Sequence, residues 1–485
     1  MAHSNKSESA PRSQAGIINK STKQALVCLV SLVLMFTEYW LLNYCAFPLF
    51  DSVSLWTREI SAAAGGIGLI AMALVARWKP ALLKTKFFPG ILVSLAAGAI
   101  LTLAGLYLNS ALPLIVGASV ITIGISLVAV VVGVSCMNLD ARTIGICIAL
   151  AYLISYALRI VFPVFPAEAN LLLFVFVPFA TLTLCSPFAR PALRKILAAD
   201  APADASVTSP ASYLPFAHQV FITLIIFRFI YGYTLTFAES DRVPIFPMLA
   251  LAPLAIYAVA RLIKKAPLDP DALFRASILF SIAGFLIPSM AGTQNAFIAS
   301  SLLSSGTGLF EILMYFVLVA LAAKNISGAL VVLTWGTAMA SLGTIIGANF
   351  GRLANQYYHA DNGMISIISS CIVFGLVVYI LATQRNFSFS KTIRSVEPAI
   401  PLSAGERSAD FEQRCKLLSE EKGLTAREDE IFSLLAQGRN ARFIQEKLVV
   451  SYNTVKTHVS HIYAKLGVHT HQELIDLVEG KDNSS

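Results

Sequence analysis

Leu424-Thr-Ala-Arg-Glu-Asp-Glu-Ile431, Leu435-Ala-Gln-Gly438, Thr454-Val-Lys-Thr-His-Val459 and Lys465-Leu-Gly-Val468 mark helix starts and stops along the end of the chain. Thr425-x-x-Glu428 is a capping box that opens a helix to about Gln437, with Ile431, Leu434 and Leu435 on its buried face. Gly438 stops it. Asn440 caps a second, short helix that closes near Leu448, whose apolar positions Ile444 and Leu448 lie four apart. Ser451 caps a third helix to about Leu466, with Val455, Val459, Ile462 and Leu466 facing inward. Its opposite face presents Asn453, Lys456, Thr457 and Ser460, and Gly467 ends it. A fourth helix near Gln472–Glu479 offers Leu474, Leu477 and Val478.

The charge of this segment points to a polyanionic partner. Between Arg439 and Gln472 the chain carries Arg439, Arg442, Lys447, Lys456 and Lys465 against the single acid Glu446. The third helix shows its polar side near its N-terminal end, the end that enters a major groove in helix-turn-helix proteins.

Spacing and residue types together resemble the helix-turn-helix of LuxR-type transcriptional regulators over some 55 residues. The resemblance implies double-stranded DNA as partner, with base-edge contacts from Lys456, Thr457 and Ser460. It further implies phosphate contacts from Thr454 and Lys465, and a homodimer paired through the fourth helix. Three positions depart from the family pattern: His471 stands where Arg is usual, and Phe443 and Gln445 stand where Glu and Ala are usual. No metal or other cofactor is implied. Since DNA is cytoplasmic, this segment also fixes the expected side of the chain's end.

Outward from it the composition changes. The 485-residue chain is 56% hydrophobic and 13% charged, with a mean hydropathy of +0.71. Soluble domains carry about 25% charge, so a polytopic membrane protein is expected. Runs near 20 apolar residues match a hydrocarbon core of about 30 Å. Twelve are read, at about 25–49, 58–77, 87–108, 111–136, 143–163, 168–188, 214–238, 244–263, 273–291, 295–322, 327–349 and 362–383. With the N-terminus inside, the inner segments hold sixteen Lys and Arg against three in the outer loops (Arg58, Arg242, Arg352). An even span number then returns the C-terminus to the cytoplasm, in agreement with the DNA argument. The first span is too long for a signal-peptide core and is read as retained. The seven cysteines form no Cys-x-x-Cys pair and read as small core residues.

The fold class expected is therefore all-α: a bundle of about twelve spans followed by a small cytoplasmic four-helix domain. The boundaries read as a cytoplasmic tail 1–22, a membrane region 23–384 with a central cytoplasmic loop 189–213, a linker 385–421, the DNA-reading domain 422–480 and a tail 481–485. Two six-span halves resemble the major facilitator architecture. The segment between spans two and three, Arg77-Trp-Lys-Pro-Ala-Leu-Leu-Lys-Thr-Lys86, departs from that family's loop in lacking Gly and Asp. The whole organisation resembles multi-spanning LuxR-type regulators. It implies a one-component regulator of the bacterial cytoplasmic membrane, the alternative being a transporter with a regulatory DNA-binding tail. No P-loop, Gly-x-Ser-x-Gly or His-Glu-x-x-His is found, and no enzyme is expected.

Three charges fall near mid-span: Glu38 in span 1, Arg228 in span 7 and Glu311 in span 10. Each costs at least about 2.5–3.5 kcal/mol at the centre of an apolar helix, which makes it a functional candidate. In the major facilitator architecture spans 1, 4, 7 and 10 line a central cavity. Tyr231, three after Arg228, and Tyr315, four after Glu311, are candidates for an aromatic wall. Arg228 suits a small anionic ligand, especially a carboxylate. Gly343-x-x-x-Gly347 reads as close helix packing.

Overall fold

The computed structural model describes residues 11–159, 161–198, 214, 218–236, 250–264, 267–291, 296–326, 328–358, 362–383, 387–396, 409–439 and 441–479. Among these residues every regular element is helical. Among the described residues nine helices are long and apolar enough to cross a membrane, and three shorter apolar helices occupy the places of expected spans seven, eight and twelve. In chain order they are α1 (Pro11–Leu41), α2 (Thr57–Trp78), α3 (Leu83–Tyr107), α4 (Ala111–Cys136), α5 (Ala141–Leu158) and α6 (Ala167–Ala198). The second six are α7 (Gln219–Leu235), α8 (Leu251–Ile263), α9 (Pro270–Ala291), α10 (Ala296–Lys324), α11 (Ala329–Tyr358) and α12 (Asn362–Thr383). A π-helical turn, Leu42–Ala46, and the helix Phe47–Asp51 prolong α1.

Local chemistry sets several ends. Asp140 caps α5 by accepting the Thr143 amide at 2.9 Å, and His218 caps α7 through Nδ1, which accepts the Val220 amide. Pro253 falls in the first turn of α8, where a missing N–H costs nothing. Pro178, Pro187 and Pro191 lie inside α6, and this helix runs to Ala198, beyond the expected start of the central loop at 189. The remainder of that loop, Arg242, the expected start of span eight, Asn440 and both chain ends lie outside the described residues.

The apolar helices share one buried core. Within it α7 packs on α11, α3 on α4 and α9 on α10, while α2–α11 and α5–α10 contacts join the first six helices to the second six. The α7–α11 seam is built on glycine. A Cβ at Gly347 would lie 2.0 Å from the Phe229 carbonyl oxygen, and one at Gly343 would lie 2.4 Å from that of Ile225. Only a residue without a side chain allows backbones so close.

The C-terminal helices α13 (Phe389–Ser395), α14 (Ala409–Glu421), α15 (Ala426–Ala436), α16 (Ala441–Leu448), α17 (Tyr452–Leu466) and α18 (His471–Glu479) follow. The last five form a second, separate core. α14, expected as linker, packs on α15 and α18 and buries Cys415. The four expected helices are all present, and α14 packs onto their core as a fifth.

Candidate functional site: an intramembrane cavity and a DNA-reading helix

Arg228 on α7 pairs with Glu311 on α10. Its Nε donates to Thr344 Oγ1 on α11 at 3.0 Å, and its guanidinium carbon lies 4.4 Å from the centre of the Tyr231 ring. These groups border a cavity of about 100 Å³, whose other wall comes from α1 and α5 through Tyr39, Trp40 and Tyr152. A cavity needs only about 10–15 Å³ on this measure to hold one water, so it has room for a small solute. A guanidinium has five N–H donors, and the two bonds above leave others for a bidentate anion.

The structure brings Arg228, Tyr231 and Glu311 together at this cavity but not Glu38 or Tyr315. Glu38 is buried, and among the described residues neither carboxylate oxygen has a hydrogen-bond partner. Its neighbours Tyr39 and Trp40 face the cavity instead, since each step along a helix turns the side chain by about 100°. The Tyr315 hydroxyl donates to the Ala129 carbonyl at 2.7 Å and its ring meets Phe36, so it fixes α10 against α4 and α1. Glu311 lies in the same half as Arg228, and among the described residues Arg352 on α11 pairs with Glu59 on α2 across the two halves. That pair escaped the sequence reading because α11 continues to Tyr358, past the expected end of the span at 349.

A second arginine was also missed. The Arg159 guanidinium carbon lies 4.5 Å from the centres of the Trp40 and Tyr156 rings and 4.6 Å from that of Tyr44. Trp40 thus serves both this cation–π cage and the cavity wall. The spacings Trp40-x-x-x-Tyr44 and Tyr156-x-x-Arg159 place each pair on one helix face and were the available signal.

In the C-terminal domain α15 starts with the full capping box of Thr425 and Glu428, and Ser451 caps α17 by accepting the Thr454 amide at 3.1 Å. Val455, Val459, Ile462 and Leu466 are buried, leaving Asn453, Thr454, Lys456, Thr457 and Ser460 exposed along the other side. Thr457 Oγ1 donates to the Asn453 carbonyl, and the Thr454 hydroxyl is tied to that of Ser451 at 2.7 Å. Phe443 on α16 is flanked by Arg439 and Lys447, its ring centre 4.9 and 5.8 Å from their charged groups.

Lys465 occupies a different place from the exposed row. Its Nζ donates to Glu428 Oε2 at 2.7 Å and to the Gly423 carbonyl at 3.0 Å, binding the end of α17 to the start of α15. The ammonium of Lys465, with the Thr425 amide, holds the Glu428 carboxyl down at about 2. His471 is buried, its Nε2 2.6 Å from the Leu435 carbonyl oxygen, so this departure from the family pattern bonds α18 to α15. Leu474 and Val478 are also buried in the domain core, and of the three expected pairing residues only Leu477 is substantially exposed.

Residues 422–478 match the family model of bacterial regulatory proteins of the luxR family. The chain is 31% identical over 98 residues to the transcriptional regulatory protein LiaR of Bacillus subtilis, which covers 19% of this chain and 46% of that protein. It is 46% identical over 55 residues to the oxygen regulatory protein NreC of Staphylococcus aureus, which covers 11% of this chain and 25% of that one. The chain spans less than half the length of these curated relatives. Among solved structures, the E. coli fucose:proton symporter FucP gives a TM-score of 0.48 at 15% identity, over 75% of this chain and 98% of that one. The human organic anion transporter MFSD10 gives 0.49 at 12% identity, over 78% and 99%. The chain carries a luxR-family helix-turn-helix domain at its C-terminal end, behind a polytopic bundle of apolar helices.

Proposed function

We propose that the protein is a one-component transcriptional regulator embedded in the bacterial cytoplasmic membrane, with both termini cytoplasmic. The helix-turn-helix binds promoter DNA, and the Arg228 cavity senses a small anionic molecule. It works without catalysis, among membrane lipids, with two chains meeting on an inverted repeat whose half-sites lie about one helical turn apart. The observation that carries the reading is covalent: a luxR-family domain shares one chain with a bundle whose cavity holds a charged Arg–Glu pair. A ligand regulates only by binding one conformation better than another, and an anion at Arg228 competes directly with Glu311 for the guanidinium.

Transcription of the neighbouring genes, measured over a panel of small carboxylates, tests the sensing half. At least one compound is expected to shift transcription by about 5-fold or more, with the shift lost in Arg228→Ala. An undiminished response in Arg228→Ala would remove the cavity from the reading.

On DNA, Lys456→Ala is expected to relax base discrimination and cost about 1–3 kcal/mol, because Lys456 stands exposed one turn into α17. Lys465→Ala should weaken all sequences alike and also lower the melting temperature of the domain, since its ammonium holds Glu428. Titrations on specific and random duplexes separate the two residues. Equal losses on both duplexes for Lys456→Ala would move the reading face elsewhere.

A further inference from the structure

Past the end of α12, the short helix α13 is fastened to the start of α9 by a single carboxylate. Asp271 accepts the Ser388 hydroxyl at 2.8 Å, the Phe389 amide at 2.9 Å and the Ser390 amide at 3.4 Å. Ser388 in turn caps the helix, its hydroxyl accepting the Lys391 amide at 3.1 Å. Every early amide of α13 is therefore bonded, the Thr392 amide reaching the Ser388 carbonyl.

Phe389 is fully buried, and from it a line of rings runs into the bundle. Phe389 meets Phe274 edge-on at 5.1 Å, Phe274 lies 5.1 Å from Phe227, and Phe227 stacks on Phe310 at 4.5 Å with the ring planes 15° apart. Phe227 precedes Arg228, and Phe310 precedes Glu311. The ion pair and the ring stack are thus two braces across the same pair of helices, α7 and α10, each one residue from the other. A change in how those helices meet at the cavity must displace the stacked rings, because close-packed side chains transmit displacement instead of absorbing it.

We infer that Phe310, Phe227, Phe274 and Phe389 form a relay from the Arg228–Glu311 pair to α13, and that the Asp271 clamp is the latch it releases. Residues 397–408 join α13 to α14, and α14 packs on the DNA-reading domain through Cys415 and Leu418. With the latch closed the domain hangs from a fixed point on the bundle. Once it opens, the tether gains the length of α13, and two domains on one operator change their spacing. The inference rests on the cavity being the sensing site and names the route by which that site reaches the DNA.

Hydrogen–deuterium exchange on the full chain in lipid nanodiscs reads the latch directly, because the amides of residues 389–392 are the bonded ones. Glu311→Gln is expected to speed their exchange about 5-fold or more. Asp271→Asn should do the same by weakening the acceptor itself. In a Phe274→Leu background the effect of Glu311→Gln should vanish while that of Asp271→Asn persists. Should Glu311→Gln fail to fold, Thr344→Ala removes only the acceptor of Arg228 Nε and carries the same expectation in milder form. Exchange of residues 389–392 at the wild-type rate in the folded cavity variants overturns the relay, as does an undiminished Glu311→Gln effect with Leu at 274. If the latch opens as expected while no carboxylate shifts transcription, the relay stands and only the sensing reading falls.

Discussion

Gly347→Val is expected to leave little folded membrane bundle. At Gly347 the atoms that a Cβ would strike are the oxygen, carbon and Cα of Phe229, at 2.0, 2.7 and 2.9 Å. They belong to the backbone of α7 and cannot turn aside. From the other helix, a Cβ at Gly232 would lie 2.1 Å from the Thr344 carbonyl oxygen, so the seam is closed from both sides. Inserting even one methylene into a packed core costs about 1–3 kcal/mol, and valine adds three carbons at a point with room for none. Separating α7 from α11 also pulls Thr344 from Arg228, so the cavity is lost with the packing. Gly90→Ala is the internal control, because a Cβ there meets nothing within 4 Å. It should be neutral or stabilise the helix by up to about 1 kcal/mol. Thermal unfolding and size-exclusion profiles of the two purified variants check the prediction, which fails if both behave as wild type.

Glu428→Ala should have a large effect confined to the DNA-reading domain. The carboxylate closes the capping box, takes the Lys465 ammonium at 2.7 Å and lies 3.8 Å from His461. Its loss unmakes a helix cap and strands a lysine, at a combined cost of roughly 2–4 kcal/mol. For a domain of this size each kcal/mol lowers the melting temperature by about 4–8 °C. The pH dependence carries a sign. Because the folded carboxyl is held down at about 2 from an ordinary 4.5, its stabilisation is fully present above 4.5 and is lost as pH falls towards 2. Melting of residues 409–485, which enclose their own core, should separate wild type from Glu428→Ala widely at neutral pH and bring them together near pH 2. A gap between the two that is constant over this range would show that Glu428 acts without its charge.

How much of this was legible in the sequence depended on whether a pattern was local. The buried row Val455, Val459, Ile462 and Leu466, the capping box and the glycine stops all follow from spacings within one helix, and the structure has each of them. The places of the apolar helices followed from length and hydropathy in the same way. What the sequence left hidden was pairing across the chain. Lys465 and Glu428 are 37 positions apart, and no periodicity marks the lysine as a structural partner. The apolar stripe of α18 was visible, but a stripe looks the same whether it covers its own core or a second chain. Leu474 and Val478 turned out to cover the core. Glu38 shows the limit inside the membrane, where helices are apolar all round and no polar face tells which residue looks into a cavity. A rotation of one residue puts Tyr39 on the wall and Glu38 away from it.

The proposed function couples the state of the membrane cavity to the DNA-reading domain. Its most direct test is the in-cell occupancy of DNA by the full-length chain, measured by crosslinking and sequencing for wild type, Lys456→Ala and Arg228→Ala at equal membrane abundance. Discrete sites are expected for wild type and should disappear in Lys456→Ala. In Arg228→Ala the same sites should remain, with occupancy changed about 5-fold or more. Identical occupancy in wild type and Arg228→Ala, under conditions where a carboxylate shifts wild-type transcription, would contradict the account.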